Sequence, residues 1–227
     1  MKLKVKTNGT SIARRAFLQQ AGTGIIAAGL LTTAACHKDI KVIPDNGVDL
    51  GSGDAGILNF FFAMEQLQAA FFTKVVATPY LSIPTAELSM HTAIRDHDVL
   101  HKEFLKAQLK EKALPTLTMD FSSVDFTSRG SVLFAAKAIK NACLEGYNGV
   151  PNLIHSPDYL NLVGKISSVE ARHTARISDF MVLGTFTGVD FVQGGQNKTN
   201  DIGGTLRFIN GYLNSKVSAA SFNYIAS

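Results

Sequence analysis

Four predicted helices share the feature that most restricts how this chain folds. The apolar stripe of each helix is interrupted near its middle by ionisable side chains. Such groups on a buried stripe cost several kcal/mol each unless they are paired or metal-bound. The interruptions must therefore meet inside the protein; in chain order they are Glu65, Asp98 with His101, Lys140, and Glu170 with His173.

The spacing of apolar residues at three and four positions predicts helices over residues 54–77, 86–112, 128–145 and 157–182. Short turns join the first helix to the second and the third to the fourth, so each pair is antiparallel. Asp54 is placed to cap the first helix.

Between the pairs, residues 114–127 read as an extended segment. At roughly 3.3 Å per residue it reaches about 45 Å, whereas a 24-residue helix is about 36 Å long. The segment can therefore travel the full height of the helices. The predicted fold class is all-α, a four-helix bundle of two antiparallel hairpins joined by one long crossover.

Two of the interruptions have the form carboxylate-x-x-His, which places both groups on one helical face with about 4.5 Å of rise between them. That separation suits two ligands of one metal ion. A bundle site of the di-iron type takes one Glu from each of two helices and a Glu-x-x-His from each of the other two. The candidate metal ligands are Glu65, Asp98, His101, Glu170 and His173.

The sequence around these positions resembles a known family. Four stretches are similar to the secreted ferritin-like domain proteins of bacteria: residues 54–59 leading to Glu65, residues 94–101, Tyr147-Asn148-Gly149 and Glu170-Ala171-Arg172-His173. Some plant relatives of these proteins are called desiccation-related proteins. The resemblance covers about residues 54–182 and implies a ferritin-like bundle. It also calls for a carboxylate on the third helix, seven residues before Tyr147, where this chain has Lys140.

Charge restricts what this cluster can bind. Three carboxylates and Lys140 sum to −2 when the histidines are neutral, so one divalent ion would neutralise the cluster, whereas two would leave +2 in a poorly solvated core. Protonation of both histidines would also neutralise it without metal. The expected cofactor is none or one divalent ion, Fe, Mn or Zn. Lys140 is expected to be charged and to pair with Glu65 or Glu170.

Three functions stay open, and no residue is predicted to be catalytic. The leading hypothesis is a non-catalytic protein with structural, stress-related or binding work, because the ligand set is incomplete. The alternative is a metal-binding, di-iron-like oxidoreductase acting on oxygen or peroxide. A third hypothesis is a partner-binding module that uses residues 183–204, rich in Gly, Asn and Thr, as a surface loop.

Other residues are given supporting or structural places. His97 is turned about 100° from Asp98 and is predicted to lie on the surface or behind the ligands. His91 and His155 are predicted to be solvated. Cys143 is predicted to be a small core residue.

The first 36 residues are predicted to direct export. The paired arginines of residues 14–18, Arg-Arg-Ala-Phe-Leu, precede an uncharged run over residues 16–35 and resemble a bacterial twin-arginine signal. A membrane anchor is the alternative, but the apolar centre of the run, residues 25–31, is short for a span. Thr33-Ala34-Ala35-Cys36 resembles a lipoprotein processing site with a lipidated Cys36, the alternative being ordinary cleavage nearby.

The expected organisation is a signal peptide (1–35), a linker (36–53), the bundle (54–182) and a Gly/Asn-rich C-terminal extension (183–227). The expected partners are the twin-arginine export machinery and, through lipid, a membrane, in the periplasm or outer envelope of a bacterium. Nucleic acid is excluded as a partner. Five of the 22 basic residues lie in the first 35 positions, so the other 17 nearly cancel the 18 acidic residues. The sequence sets no oligomeric state.

Overall fold

The computed structural model describes residues 47–186, 192–193 and 196–222. Its helices are α1 (Gly53–Ala77), α2 (Thr85–Leu109), α3 (Arg129–Gly149), α4 (Pro157–Met181) and α5 (Ile202–Ile209). Single turns of 3-10 helix follow at Lys110–Lys112, Pro151–Leu153 and Asn210–Tyr212. The described strands have two residues each: β1 (Val48–Asp49), β2 (Val192–Gln193), β3 (Gln196–Asn197) and β4 (Val217–Ser218).

The predicted signal peptide, Cys36 and the linker up to residue 46 lie outside the described residues. Parts of the predicted surface loop, residues 187–191 and 194–195, lie outside them as well. No described helix combines the length and the apolar character that a membrane span needs.

The helices α1 and α2 form the first antiparallel hairpin. Near the turn that joins them, the rings of Phe72 and His91 lie 5.7 Å apart. At the opposite end, Asn59 Nδ2 of α1 donates to the carbonyl oxygen of Lys112 at 2.8 Å. The two helices therefore run side by side in opposite directions over their full length.

The second hairpin pairs α3 with α4, and both helices begin at a serine cap. The side chain of Ser128 accepts a hydrogen bond from the backbone N–H of Ser131, and that of Ser156 accepts one from Tyr159. Such caps satisfy N–H groups that have no partner inside the helix. The all-α bundle of two hairpins is confirmed.

The segment between the hairpins contains no helix, as predicted, but its second half is not extended, because turns form at residues 122–123 and 126–127. Its own side chains Leu114, Leu117 and Val124 are buried, and Met119 forms an isolated antiparallel bridge with Leu213. The crossing segment therefore packs against the bundle along its length.

Asp54 does not cap α1, contrary to the prediction. The helix begins at Gly53, so Asp54 lies inside the first turn. Its carboxylate accepts hydrogen bonds from the backbone N–H groups of His155 and Ser156, each at 2.8 Å. Asp54 thus ties the start of α1 to the loop that precedes α4.

The helix α1 is the centre of the bundle. Its sequence predicts one buried stripe, yet every residue from Gly56 to Ala69 is buried. The crossing segment covers one face, where Gln66 Oε1 accepts from the N–H of Leu117 at 2.8 Å and Gln66 Nε2 donates to Pro115 O at 3.3 Å. The prediction of a single buried stripe was wrong because the segment that covers the other face of α1 lies about fifty residues away in the sequence.

Described residues of the C-terminal extension pack onto the bundle. Asp201 caps α5 by accepting from the N–H of Gly204, and Ile202, Leu206 and Ile209 are buried. Beyond α5, β4 pairs in parallel with β1. The C-terminal extension therefore contains a short helix, α5, with a buried apolar side.

Gly149, at the end of α3, lets the extension approach closely. The N–H of Asn200 donates to Glu145 O at 2.9 Å. A Cβ atom at Gly149 would lie 1.9 Å from Asn200 O. A side chain at this position would therefore force the extension away from α3.

Candidate metal centre

The ionisable residues that interrupt the helical stripes meet at mid-height of the bundle. Each helix contributes: Glu65 from α1, Asp98 and His101 from α2, Lys140 from α3, and Glu170 and His173 from α4. The three carboxylates and Lys140 are fully buried. The side chains of His101 and His173 keep 15% and 8% of their exposure, so the histidines form the side of the cluster nearest to solvent.

Lys140 binds two of the carboxylates directly. Its Nζ lies 2.6 Å from Asp98 Oδ1 and 2.7 Å from Glu170 Oε2, and 5.5 Å from the centre of the Phe72 ring. The predicted pairing with Glu170 is present, and Lys140 pairs with Asp98 as well. Burial favours the neutral amine, but the charges of Asp98 and Glu170 outweigh burial and raise the pKa of Lys140.

Glu65 has a different partner, Tyr147. The Tyr147 hydroxyl donates to Glu65 Oε1 at 2.7 Å, and the Tyr147 ring stacks on Phe61 with centroids 4.6 Å apart. Burial raises the pKa of Tyr147 well above its usual value, which keeps the hydroxyl protonated as a donor. The sequence placed Tyr147 on the stripe of α3 two turns from Lys140, but it gave no role to a neutral side chain.

His101 faces two carboxylates. Its Nδ1 lies 3.3 Å from Glu170 Oε1 and 3.8 Å from Glu65 Oε2. Burial alone would lower the pKa of His101, but the two carboxylates reverse this and raise it to about 10. In the metal-free centre His101 is therefore a second cation at neutral pH.

His173 lies between the centre and the surface. Its Nδ1 is 3.3 Å from Glu170 Oε1 and 3.5 Å from Asp98 Oδ1, and 3.3 Å from Lys140 Nζ. Its Nε2 is 2.9 Å from Nδ1 of His97, which is exposed. Burial, with help from the charge of Lys140, lowers the pKa of His173 to about 4, so this ring is neutral at pH 7.

The carboxylates differ in their readiness to ionise. Burial and the nearby charge of Glu170 raise the pKa of Glu65. Burial also acts on Glu170, but Lys140, His101 and His173 hold its pKa well below the usual range. Glu170 is therefore the firmly ionised carboxylate of the cluster.

Four side chains of the centre fit one metal ion. In the described part of the protein, a buried atom of each lacks a hydrogen-bond partner: Glu65 Oε2, Asp98 Oδ2, His101 Nδ1 and Glu170 Oε1. One ligand atom from each of these residues lies within 4.8 Å of the others. Two ligands on opposite sides of an ion at about 2.1 Å would lie about 4.2 Å apart, so side-chain movements of a few tenths of an ångström would bring all four atoms to one ion. The donor set is thus compatible with one divalent ion.

Comparison of the sequence with known protein families gives a match over the helices of the candidate centre. Residues 53–182 match the ferritin-like domain family. The chain belongs to this family. The matched range contains every helix of the candidate centre, and the ferritin-like domain predicted from the sequence is confirmed. A comparison of this ferritin-like domain protein with curated proteins gives no match.

In this ferritin-like domain protein, His91 is buried, and the prediction that it is solvated was wrong. Its Nε2 lies 3.9 Å from Glu87 Oε1. Glu87 is also buried, and it accepts hydrogen bonds from the Tyr80 hydroxyl and from Arg129 Nε. Burial lowers the pKa of His91. The sequence missed this pair because the hydrogen-bond donors to Glu87 come from the turn before α2 and from the start of α3.

The other singled-out residues lie where the sequence placed them. His155 is exposed and contacts Asp54. His97 is exposed and lies behind His173. Cys143 is buried in the core, where burial raises the pKa of its thiol.

Proposed function

We propose that this chain is a ferritin-like domain protein of the bacterial cell envelope whose dimetal-type centre is degenerate and non-catalytic. The observation that carries the proposal is the position of Lys140, with Nζ 2.6 Å from Asp98 Oδ1 and 2.7 Å from Glu170 Oε2. An ammonium group there supplies positive charge that a second metal ion would otherwise supply. The role of such a protein is structural, is related to stress, or is to bind a ligand or partner.

Charge and hydrogen bonding support at most one ion beside Lys140. The ammonium uses one oxygen each of Asp98 and Glu170, which leaves Asp98 Oδ2 and Glu170 Oε1 without a partner in the described part of the chain. When His101 gives up its proton to bind an ion and all three carboxylates are ionised, the cluster carries −2, which one divalent ion cancels. A second ion would add uncompensated charge to a buried site, at a cost of several kcal/mol.

Glu65, Asp98, His101 and Glu170 are the residues that would hold the ion, which we propose to be Fe, Mn or Zn. Imidazole and carboxylate ligands accept all three. A bound ion would act as a Lewis acid, and a redox-active ion would also exchange electrons. Tyr147 holds Glu65 by its hydrogen bond, and Lys140 holds Asp98 and Glu170, so the carboxylates are oriented before an ion arrives.

A metal-binding oxidoreductase acting on oxygen or peroxide is the second candidate. The four unpartnered ligand atoms favour it, since leaving a buried polar atom unpartnered costs about 1–3 kcal/mol. In its di-iron form this candidate needs a second ion beside the first, and the charge of Lys140 opposes that second ion. The number of metal ions per chain therefore separates the two functions.

We expect elemental analysis of protein purified without chelator to give no more than one transition-metal ion per chain. The Lys140→Glu variant replaces the ammonium with a ligand and is expected to gain at least one further ion. Lys165→Glu makes the same charge change at an exposed position of α4 and is expected to match the wild type. Two ions per wild-type chain, or no gain in Lys140→Glu, would contradict the proposed non-catalytic centre.

We further propose export through the twin-arginine machinery and attachment to a membrane by lipid at Cys36. Replacing Arg14 and Arg15 by lysine keeps their charge and is expected to leave the precursor in the cytoplasm, as measured by cell fractionation. Changing Lys2 and Lys4 to arginine is the matched control and is expected to leave export intact. Envelope recovery of the Arg14→Lys, Arg15→Lys protein, or an unmodified Cys36 in the mass of the N-terminal peptide, would overturn this part.

A further inference from the structure

A groove lies along the outer face of α1, bordered by α2 and by the crossing segment. Its volume is about 350 Å³, at the lower end of the range for small-molecule sites. The apolar part of its lining comes from all three elements and includes Ala69, Ala70 and Ala77 of α1, Val99 of α2 and Leu117 of the crossing segment. The small α1 side chains keep the floor of this α1 groove low.

The floor of the α1 groove offers few free hydrogen-bonding groups. The side-chain amide of Gln66, at one end, is already bonded to the backbone of Leu117 at 2.8 Å and of Pro115 at 3.3 Å. Apart from Lys74, the other α1 residues of the lining are three alanines and Thr73. A peptide or a sugar would leave polar groups without partners here, at a cost in free energy. A hydrocarbon chain has no such groups, so it suits the floor better.

The charged side chains of the α1 groove are both cationic. Lys74 and Lys102 line it, and no acidic residue of the described part of the chain does. Lys102 pairs with its neighbour Glu103 at 3.0 Å, whereas Lys74 Nζ lies 4.2 Å from the centre of the Phe126 ring and 5.8 Å from that of Phe121. An aromatic face stabilises an ammonium group without supplying a carboxylate. Lys74 therefore keeps N–H donors for an anion.

The spacing along α1 sets the length of chain that fits. The axial rise from Gln66 to Lys74 is about 12 Å, at about 1.5 Å per residue. The extended chain of dodecanoate is about 13 Å long at standard bond lengths. A carboxylate at Lys74 thus places the far end of such a chain near Gln66 and Val99.

We propose that the α1 groove binds a single-chain anionic amphiphile, such as a medium-chain fatty acid. The carboxylate pairs with Lys74, and the hydrocarbon chain lies over Ala70 and Ala69 towards Val99. The chain leaves water when it binds, which supplies the hydrophobic part of the affinity. The site goes beyond the proposed function and does not require an ion in the metal centre.

The test is a calorimetric titration of the full, delipidated chain with sodium dodecanoate, below the concentration at which dodecanoate forms micelles. The wild type is expected to bind one dodecanoate per chain. Lys74→Met keeps an unbranched side chain but removes the charged donor, and is expected to weaken binding at least about tenfold. Lys165→Met makes the same change at an exposed position of α4 and is expected to bind as the wild type does. No binding by the wild type, or equal binding by Lys74→Met, would overturn the proposal.

Two further measurements separate the shape of the α1 groove from its charge. Ala70→Leu fills the floor and is expected to abolish binding, whereas Ala107→Leu adds the same volume at an exposed position of α2 outside the groove and is expected to preserve it. Dodecyltrimethylammonium has the same chain with a cationic head and is expected not to bind. Unchanged binding by Ala70→Leu, or equal affinity for the cationic amphiphile, would mean adsorption to another apolar surface and would contradict the site.

Discussion

Replacing Lys140 by methionine is expected to lower the free energy of unfolding of the metal-free protein by about 3–5 kcal/mol. Methionine keeps an unbranched apolar chain and removes only the ammonium. Asp98 Oδ1 and Glu170 Oε2 then lose the partner that lies 2.6 and 2.7 Å away. A carboxylate left buried without a countercharge costs far more than the pair gains over apolar groups. Urea unfolding in the presence of a chelator measures the loss.

Two further variants show whether charge is the cause. Lys165→Met removes an exposed ammonium and is expected to change stability by less than about 0.5 kcal/mol. Adding Asp98→Asn and Glu170→Gln to Lys140→Met removes the stranded charges and is expected to restore much of the stability. A loss below about 1 kcal/mol in Lys140→Met would mean that the ammonium does not neutralise these carboxylates.

The stability of the metal-free protein is expected to fall as the pH rises from about 7 towards 10. The two carboxylates raise the pKa of His101 from 6.5 to about 10. A group whose pKa is higher in the folded state contributes fully below its unfolded pKa, and the contribution is lost as pH rises through the folded value. One such proton gives a slope of up to about 1.4 kcal/mol per pH unit.

Unfolding midpoints measured in urea between pH 6.5 and 10 test this dependence. His101→Gln is expected to flatten the profile, whereas His155→Gln changes an exposed histidine and is expected to leave it unchanged. An ion bound at His101 would hold the imidazole neutral, so loading with metal is also expected to flatten it. A flat profile in the metal-free wild type would show that Glu65 and Glu170 do not hold a proton on His101.

The sequence predicts the bundle and the meeting of its polar residues because both depend on spacing along a helix. Mid-helix positions of Glu65, Asp98, Lys140 and Glu170 bring the side chains to one height once the hairpins are antiparallel. The choice of partners within the cluster was not predictable in full. Of the two partners predicted for Lys140, Glu170 is in contact and Glu65 binds Tyr147, and Asp98 is an additional partner that depends on side-chain reach across the core.

Contacts between segments distant in sequence account for the remaining differences. The full burial of α1 depends on Gln66 meeting the backbone of Pro115 and Leu117. The burial of His91 depends on a Glu87 that is neutralised by Arg129, forty-two positions away. The spacing of apolar residues describes one helix at a time. It therefore cannot predict that a distant segment covers a second face of the helix, or that a distant residue neutralises a charge on it.

The ammonium of Lys140 and a metal ion differ in how each brings its positive charge into the core. A metal ion has to be acquired from a changing supply, and it can be exchanged, outcompeted or chelated. The charge on Lys140 is covalently attached and present in every copy from synthesis onwards. The amino-acid sequence itself therefore supplies part of the positive charge that offsets the buried carboxylates. Metal starvation leaves that part unchanged.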